Sequence, residues 1–411
     1  MDLQWLRIVV VGHVDHGKST LIGRLLHDSG ALPDGRLEEL RADSPGGGLE
    51  WALLLDHFRE EREQERTIDS TQAFFATPRR VYRIIDAPGH REFLKNMVTG
   101  AAQADAAILV VDVEAGVLDE TRRHVAMLAM LGQRRVIAAI NKMDRVEGRR
   151  GAFDRVSSDA MTLLAQTAIA AHAVIPVSAR HGWNLASRAA PLQWYEGPTL
   201  FEALDSLDQP ESLSRQPLRL PVQDIYDLNG RKLIVGRIES GQLMQGQKVV
   251  RLPSGQTAQI ASIERFLKNR NSAEAGESIG LTLDGPTAIQ RGDVLCDPDS
   301  PASVARRFEA NLFWLADTGW QQGDVLLLRC ATQEAPCQIE SVRRRINSST
   351  LDVVATDAAR LEATDVGHVV MALERPIVVE KFTYQSPLGR FVLLQNQKLS
   401  AGGTVIGDFG F

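Results

Sequence analysis

Unbroken runs of apolar residues alternate with helical patterns along the first half of the chain. The runs cover residues 8–11, 81–85, 106–111, 136–140 and 174–177. Continuous apolar runs are typical of strands that are buried on both faces of a parallel sheet. Helical spacing fills the intervals, as at residues 119–131 and 154–171. Residues 1–207 are therefore predicted to form a doubly wound, mostly parallel α/β domain that binds its ligand at the carboxyl ends of the strands.

The pattern changes after this α/β region. Residues 208–217 are polar and contain two prolines, which favours a linker. Beyond it, short strand patterns are separated by Gly, Asn and Pro turns, and a second break falls at residues 297–301. Short strands at this spacing predict all-β domains of barrel or sandwich type. We place these domains at residues 218–299 and 302–411.

Composition limits the class of protein. A chain of 411 residues is too long for one ordinary core, and 44% hydrophobic with 24% charged residues is typical of globular proteins. The formal net charge is -6, and no long basic tract indicates nucleic-acid binding. The three cysteines lack zinc-site spacing, and no apolar run is long enough to cross a bilayer. We expect reduced thiols, a cytoplasmic location and no membrane contact.

A glycine-rich segment connects the first predicted strand to the first predicted helix. It reads GHVDHGKST and matches the pattern G-x-x-x-x-G-K-S/T in the strand–loop–helix setting that this motif requires. Gly12 and Gly17 let backbone amides approach phosphate oxygens, and the helix N-terminus favours negative charge. Lys18 is predicted to reach the β- and γ-phosphates, and the Ser19 hydroxyl to ligate Mg²⁺. The predicted phosphate-binding residues are Gly12, His13, Val14, Asp15, His16, Gly17, Lys18, Ser19 and Thr20.

The tetrapeptide Asn141-Lys142-Met143-Asp144 follows a buried strand pattern and predicts which base is bound. The Asp144 carboxylate is predicted to accept from N1–H and the exocyclic amine of guanine. Adenine offers no such donors, so it would leave Asp144 desolvated and unpaired at a cost of roughly 1–3 kcal/mol. Lys142 is predicted to lie along the base plane, and Asn141 to tie this loop to the phosphate loop. Ser178-Ala179, after the next strand, is predicted to present a backbone N–H to guanine O6.

The pentapeptide Asp86-Ala87-Pro88-Gly89-His90 follows the predicted strand at residues 81–85. Asp86 is predicted to hold Mg²⁺ through water, and Gly89 to act as a hinge near the γ-phosphate. His90 is the predicted catalytic residue: it orients the attacking water, because this hydrolysis depends mainly on positioning and charge stabilisation. Thr67 is the predicted second Mg²⁺ ligand, on a loop that orders when GTP binds.

Together these segments resemble the translation-factor superfamily of GTPases over nearly the whole chain. Residues 12–20, 86–90 and 141–144 are similar to the family's phosphate loop, second switch and base motif. The resemblance implies a GTP-binding domain followed by two β-barrels, with GTP and Mg²⁺ as ligands and a monovalent cation at Asp15. Where the family has Gly-Ile before the magnesium-binding threonine, this chain has Glu65-Arg66. We therefore expect either an altered basal rate of hydrolysis or an apolar gate that a partner closes.

Within the superfamily, the chain resembles the branch shared by elongation factor 1-alpha and the large subunit of sulfate adenylyltransferase. Residues 116–124, 221–223 and 252–255 are more similar to the sulfate enzyme. We therefore predict a large subunit that hydrolyses GTP while a small ATP-sulfurylase-like subunit, of ATP-pyrophosphatase type, makes adenosine 5′-phosphosulfate from ATP and sulfate. The two chains are expected to form a heterodimer or a higher hetero-oligomer.

Residues 12–16 and 387–391 are more similar to the elongation factor and support an alternative function. In this alternative, the chain delivers aminoacyl-tRNA or another RNA to the ribosome. Such a carrier needs a basic face, for which Arg343-Arg344-Arg345 and residues 268–270 are the candidates in the barrels. A steep loss of affinity with salt would distinguish an RNA carrier. A regulatory GTPase switch without coupled synthesis is the third possibility.

Overall fold

A computed structural model describes residues 4–32, 35, 51, 72–86, 104–208, 212–228, 230–264, 271–285, 288–382 and 387–410. The chain divides into two units, Met1–Gln209 with Ser348–Leu351, and Pro210–Asn347 with Asp352–Phe411. The division between Gln209 and Pro210 falls inside the segment that the sequence predicts as a linker, and the other domain boundaries stay predictions. Across the described ranges, no helix has the length and apolar character needed to cross a membrane.

The first unit is built on a six-stranded sheet. Its strands are β1 Gln4–Val11, β2 Gln72–Ala76, β3 Arg80–Asp86, β4 Ala106–Asp112, β5 Val136–Asn141 and β6 Ala171–Pro176. Their spatial order is β2-β3-β1-β4-β5-β6, and all neighbours are parallel except the antiparallel pair β2 and β3. The predicted mostly parallel α/β domain is confirmed. The edge strand β2 is the element that the apolar runs did not indicate.

Four described helices accompany this sheet: α1 Lys18–Asp28, α2 Asp119–Met130, α3 Arg150–Gln166 and α4 Leu200–Asp205. β4 and β5 are buried along their whole lengths, which accounts for their continuous apolar sequences. α4 begins with a capping box, in which Glu202 N donates to Thr199 Oγ1 and Thr199 N donates to the Glu202 carboxylate. Because β1, β4 and β5 are parallel, the loops that follow them lie at the same edge of the sheet.

The second unit begins with a closed barrel. Its strands are β7 Arg219–Leu228, β8 Arg231–Arg237, β10 Lys248–Leu252, β11 Gln256–Glu264, β13 Ser278–Leu283 and β14 Val294–Cys296. They close in the order β10-β11-β13-β8-β7-β14. A small sheet pairs β9 Gln242–Met244 with β12 Ser272–Glu274. Aliphatic side chains such as Leu220, Ile234 and Leu281 fill the interior of the barrel.

A second barrel follows in the same unit. Its strands are β15 Ser303–Trp314, β17 Leu326–Cys330, β18 Gln333–Asn347, β19 Val353–Ala358, β21 Asp365–Val379, β22 Arg390–Gln395 and β23 Lys398–Gly410. Their order is β17-β22-β23-β15-β21-β18-β19, and pairing of β17 with β18 closes six of the seven strands into a ring. A short pair joins β16 Trp320–Gln321 to β20 Arg360–Leu361. The predicted pair of all-β barrels is confirmed.

An apolar cluster and an ion pair join the two barrels. The cluster combines Leu252 and Cys296 of the first barrel with Phe308 and other side chains of the second. Arg219, at the start of β7, donates from Nε to Glu380 Oε1 at 2.8 Å, and its Nη2 lies 2.8 Å from the same oxygen. The Arg219 side chain is only 6% exposed. Removing its partner therefore leaves a buried charge without compensation.

Glu380→Gln tests the importance of this ion pair. We expect the free energy of unfolding to fall by about 3 kcal/mol, because the buried Arg219 guanidinium loses its counter-charge. Urea unfolding of the full chain measures the change. Glu340→Gln is the matched control: it breaks the exposed pair in which Arg307 Nε lies 2.9 Å from Glu340 Oε2, and its expected cost is about 0–1 kcal/mol. Equal costs for the two variants would contradict the prediction.

The buried His124 of α2 predicts how stability depends on pH. Burial, with Lys18 and His13 nearby, lowers the pKa of His124 from 6.5 to about 3. The unfolded chain then binds a proton that the folded chain does not. Stability is therefore fully present above pH 6.5 and falls as the pH approaches 3, by roughly 1.4 kcal/mol per pH unit for one ring. We expect His124→Gln to make this decline less steep in urea unfolding, whereas the exposed His172→Gln should retain the wild-type slope.

Candidate functional site

The phosphate loop, residues 12–17, connects β1 to α1 and makes close contacts with two neighbouring strands. Gly12 has a φ of +145° and Gly17 a φ of +89°. A Cβ at Gly12 would lie 2.2 Å from the carbonyl oxygen of Val110 on β4, and a Cβ at Gly17 would lie 2.5 Å from Asn141 Nδ2 on β5. Both positions therefore require glycine. The positive φ angles of Gly12 and Gly17 thus allow the loop to pack directly against the sheet.

Lys18 reaches back across this loop. Its Nζ donates to the carbonyl oxygens of Gly12 and His13 at 2.7 and 2.8 Å, and the residue is 9% exposed. α1 begins at Lys18 with no acidic residue in its first turn, so its N-terminal amides are suited to an anion. Ser19 and Thr20 follow in that turn and are half-buried. This arrangement of a buried cation and a helix N-terminus fits a polyphosphate, with Ser19 available to a metal ion.

The two histidines of the phosphate loop have different surroundings. His16 is 2% exposed, and its burial lowers its pKa to about 4, so the ring is neutral at pH 7. His13 is half-buried, and its Nε2 lies 3.4 Å from Glu120 Oε2, which also accepts from the Val14 amide at 3.4 Å. Sequence reasoning did not assign Glu120 to the site. Its position in the first turn of α2, close in space and far in sequence, gave no local signal.

Asn141 joins the phosphate loop to the base loop, which we define as residues 178–183. Its Nδ2 donates to the His16 carbonyl at 2.9 Å, and its Oδ1 accepts from the Ala179 amide at 2.9 Å. The sequence assigned a backbone N–H of Ser178-Ala179 to guanine O6, but the Ala179 N–H already donates to Asn141 and the Ser178 N–H donates to the Trp183 carbonyl oxygen. The Arg180 amide has no hydrogen-bond acceptor within the described part of the chain.

Asp144 lies in a short helical turn directly after β5. Ser178 Oγ donates to its Oδ1 at 2.5 Å, which holds the carboxylate beside the base loop. Lys142 has a left-handed φ of +63°, and its Nζ lies 2.7 Å from Asp112 Oδ2. Burial raises the pKa of Asp112, but hydrogen bonds from Lys142 and two backbone amides outweigh burial and hold that pKa below its usual value. Asp112 is a further residue that the motifs did not identify.

The predicted hydrolytic residues fall largely outside the described ranges. Asp86 ends β3 in register with β1, so its backbone reaches the same edge of the sheet as the phosphate loop. The side chain of Asp86 lies outside the described residues, as do Glu65-Arg66, Thr67, Gly89 and His90. Among the described residues, no group of three His, Cys, Asp or Glu could hold a metal ion. The Mg²⁺ ligands and the catalytic histidine thus stay predictions.

The basic triplet of the second barrel is mostly paired with acidic side chains. Arg343 Nη2 lies 2.6 Å from Glu309 Oε1, and Arg345 Nε lies 2.6 Å from Asp365 Oδ2. Arg344 is exposed. Residues 268–270 lie outside the described ranges. The triplet therefore provides at most a small part of a surface for RNA.

Three family descriptions match the chain. Residues 4–210 match the elongation factor Tu GTP binding domain, residues 231–296 match elongation factor Tu domain 2, and residues 307–406 match the GTP-eEF1A C-terminal domain-like family. These matches follow the observed order of one α/β unit and two barrels. They support GTP binding and GTPase activity.

Whole-chain relatives carry the name elongation factor 1-alpha. The protein from Archaeoglobus fulgidus is 38% identical, with 98% of each chain covered, and that from Aeropyrum pernix is 39% identical, with 94% of this chain and 93% of the relative covered. Among solved structures, Sup35 complexed with GDP is 24% identical and covers 99% of this chain and 95% of that chain, with a TM-score of 0.47.

These findings correct the predicted partner and the predicted sulfate chemistry. The relatives are elongation factors, so the prediction of a small ATP-sulfurylase-like subunit is wrong, and sulfate adenylyltransferase activity has no support. Two of the segments that favoured the sulfate enzyme are ordinary barrel elements. Residues 221–223 lie within β7, and residues 252–255 span the turn between β10 and β11. Whole-chain similarity outweighs such short segments, and the chain belongs to the translation-factor GTPase family as an elongation factor 1-alpha-like GTPase.

Proposed function

We propose that the chain is a GTP-hydrolysing carrier that delivers aminoacyl-tRNA, or another RNA, to the ribosome. The observation that carries this proposal is the similarity to elongation factor 1-alpha over 98% of both chains at 38% identity. The similarity includes both barrels as well as the α/β unit, so it extends beyond the nucleotide site. We therefore expect all three domains, residues 1–207, 218–299 and 302–411, to take part in the function.

The phosphate loop would hold the polyphosphate of GTP. Lys18 would exchange its two carbonyl acceptors for phosphate oxygens, and the first amides of α1 would bind the same charge. Ser19, Thr67 and Asp86 would hold Mg²⁺, which neutralises phosphate charge when bound. Asp15 is the proposed residue for a monovalent cation; it is exposed and has a φ of +65°.

The base loop and the turn after β5 would recognise guanine. Asp144, held by Ser178, would accept from N1–H and the exocyclic amine, and Lys142, held by Asp112, would lie along the ring. We assign the O6 contact to the Arg180 amide, because the Ala179 amide already donates to Asn141. Hydrolysis would depend on His90, which orients water near Gly89.

Asp144→Asn is expected to change the preferred base. An amide cannot accept from both guanine donors, but it can donate to the 2-oxo group of xanthine. We expect GDP affinity to fall by about 10- to 100-fold and XDP affinity to rise, since a hydrogen bond to a charged group contributes about 1.5–3 kcal/mol. Competition against a fluorescent nucleotide gives both affinities. Asp154→Asn makes the same chemical change at a side chain that is 58% exposed on α3 and should leave the ratio unaltered.

RNA binding is expected to depend on the bound nucleotide and on salt. With GTP, the chain should retain aminoacyl-tRNA on a filter more strongly than deacylated tRNA, and GDP should reduce this retention. The logarithm of the association constant should fall linearly with the logarithm of the salt concentration, because phosphate contacts release counterions. Retention that is the same with GTP and GDP, or absent at low salt, contradicts the proposed carrier function.

A further inference from the structure

Trp51 is buried against the base loop, although it lies in the long connection between α1 and β2. The residue is 3% exposed, and its indole N–H donates to the carbonyl oxygen of Arg180 at 3.3 Å. Its ring centroid lies 4.6 Å from that of His27, and the guanidinium carbon of Arg24 lies 5.3 Å from the ring. Trp51 therefore contacts α1 and the base loop at the same time.

Two glycines leave room for Trp51 and for the neighbouring Arg24 side chain. A Cβ at Gly23 on α1 would lie 2.3 Å from the carbonyl oxygen of Trp51, and a Cβ at Gly182 in the base loop would lie 2.1 Å from Arg24 Nη2. Gly182 also has a φ of +74°, which favours glycine. Gly23 therefore leaves room for Trp51 against α1, and Gly182 leaves room for Arg24 against the base loop.

Arg24 holds the same carbonyl group as Trp51. Its Nη1 donates to Arg180 O at 3.2 Å, while its Nε donates to Asp28 Oδ1 at 2.7 Å. The carbonyl of Arg180 therefore accepts two hydrogen bonds, whereas its amide has no acceptor within the described ranges. Fixing the carbonyl limits the rotation of the neighbouring peptide that carries this amide.

We propose that Trp51 is a positioning residue for guanine recognition. Its indole N–H holds the Arg180 carbonyl so that the Arg180 amide can donate to guanine O6. The inference rests on the proposed function, because it requires the base loop to contact guanine. Trp51 itself does not touch the nucleotide. Loss of its indole donor should weaken the O6 contact selectively, since Asp144 is held separately by Ser178.

Trp51→Phe removes the indole donor and keeps an aromatic ring. The expected result is a fall of about two- to fivefold in the preference for GDP over 6-thio-GDP. The analogue differs from GDP only in having sulfur, a weaker hydrogen-bond acceptor, in place of O6, so this ratio measures the O6 contact. Dissociation constants of the full chain are measured by competition against ribose-labelled fluorescent GDP. Trp194→Phe is the matched control: Trp194 Nε1 donates to Gly148 O at 2.7 Å in the same unit, and its loss should leave the ratio unchanged.

A wild-type ratio in Trp51→Phe would overturn the inference. Equal losses of affinity for both nucleotides would also overturn it, because they indicate a purely structural role. If Trp51→Phe does not fold, Arg24→Met removes the other donor to the same carbonyl, and its ratio decides the question in the same way. A wild-type chain that does not prefer GDP to ADP would instead contradict the proposed function, and the inference would fail with it.

Discussion

The side-chain amide of Asn141 is the contact on which the nucleotide site depends. Its hydrogen bonds to His16 O and from Ala179 N, both 2.9 Å, fix the phosphate loop and the base loop to the end of β5. The residue is 2% exposed, so either bond, if broken, would leave a buried polar group unsatisfied at a cost of about 1–3 kcal/mol. The absence of a side chain at Gly17 makes this arrangement possible, because a Cβ there would lie 2.5 Å from Asn141 Nδ2.

The parts of the fold that the sequence predicts well are those whose pattern is local. The apolar runs at residues 106–111 and 136–140 correspond to β4 and β5, because a strand covered on both faces needs apolar residues at every position. The phosphate-loop motif encodes positive φ angles and close contacts at Gly12 and Gly17, and it is accordingly visible from spacing alone. β2 was not predicted, because this five-residue strand lies at the edge of the sheet and has no continuous buried run.

The parts that the sequence did not predict depend on contacts between distant residues. Glu120 reaches His13 and Val14, and Asp112 reaches Lys142, but neither acidic residue belongs to a recognised motif. The charge of Arg343 looked available to RNA until the structure paired it with Glu309. The prediction of a sulfurylase partner was wrong for a related reason. It depended on three short segments, and short segments do not determine which partner a whole chain binds.

The shared apolar cluster of the two barrels has a consequence for how this architecture can be divided. Leu252 and Cys296 pack in the same cluster as Phe308, so a boundary at residue 300 separates the backbone but not the core. Cutting the chain there would expose buried apolar surface to solvent on both fragments, which favours aggregation. Evolution or protein engineering should therefore exchange the two barrels together, as one unit. A single barrel on its own would need polar residues in place of the exposed apolar ones to stay soluble.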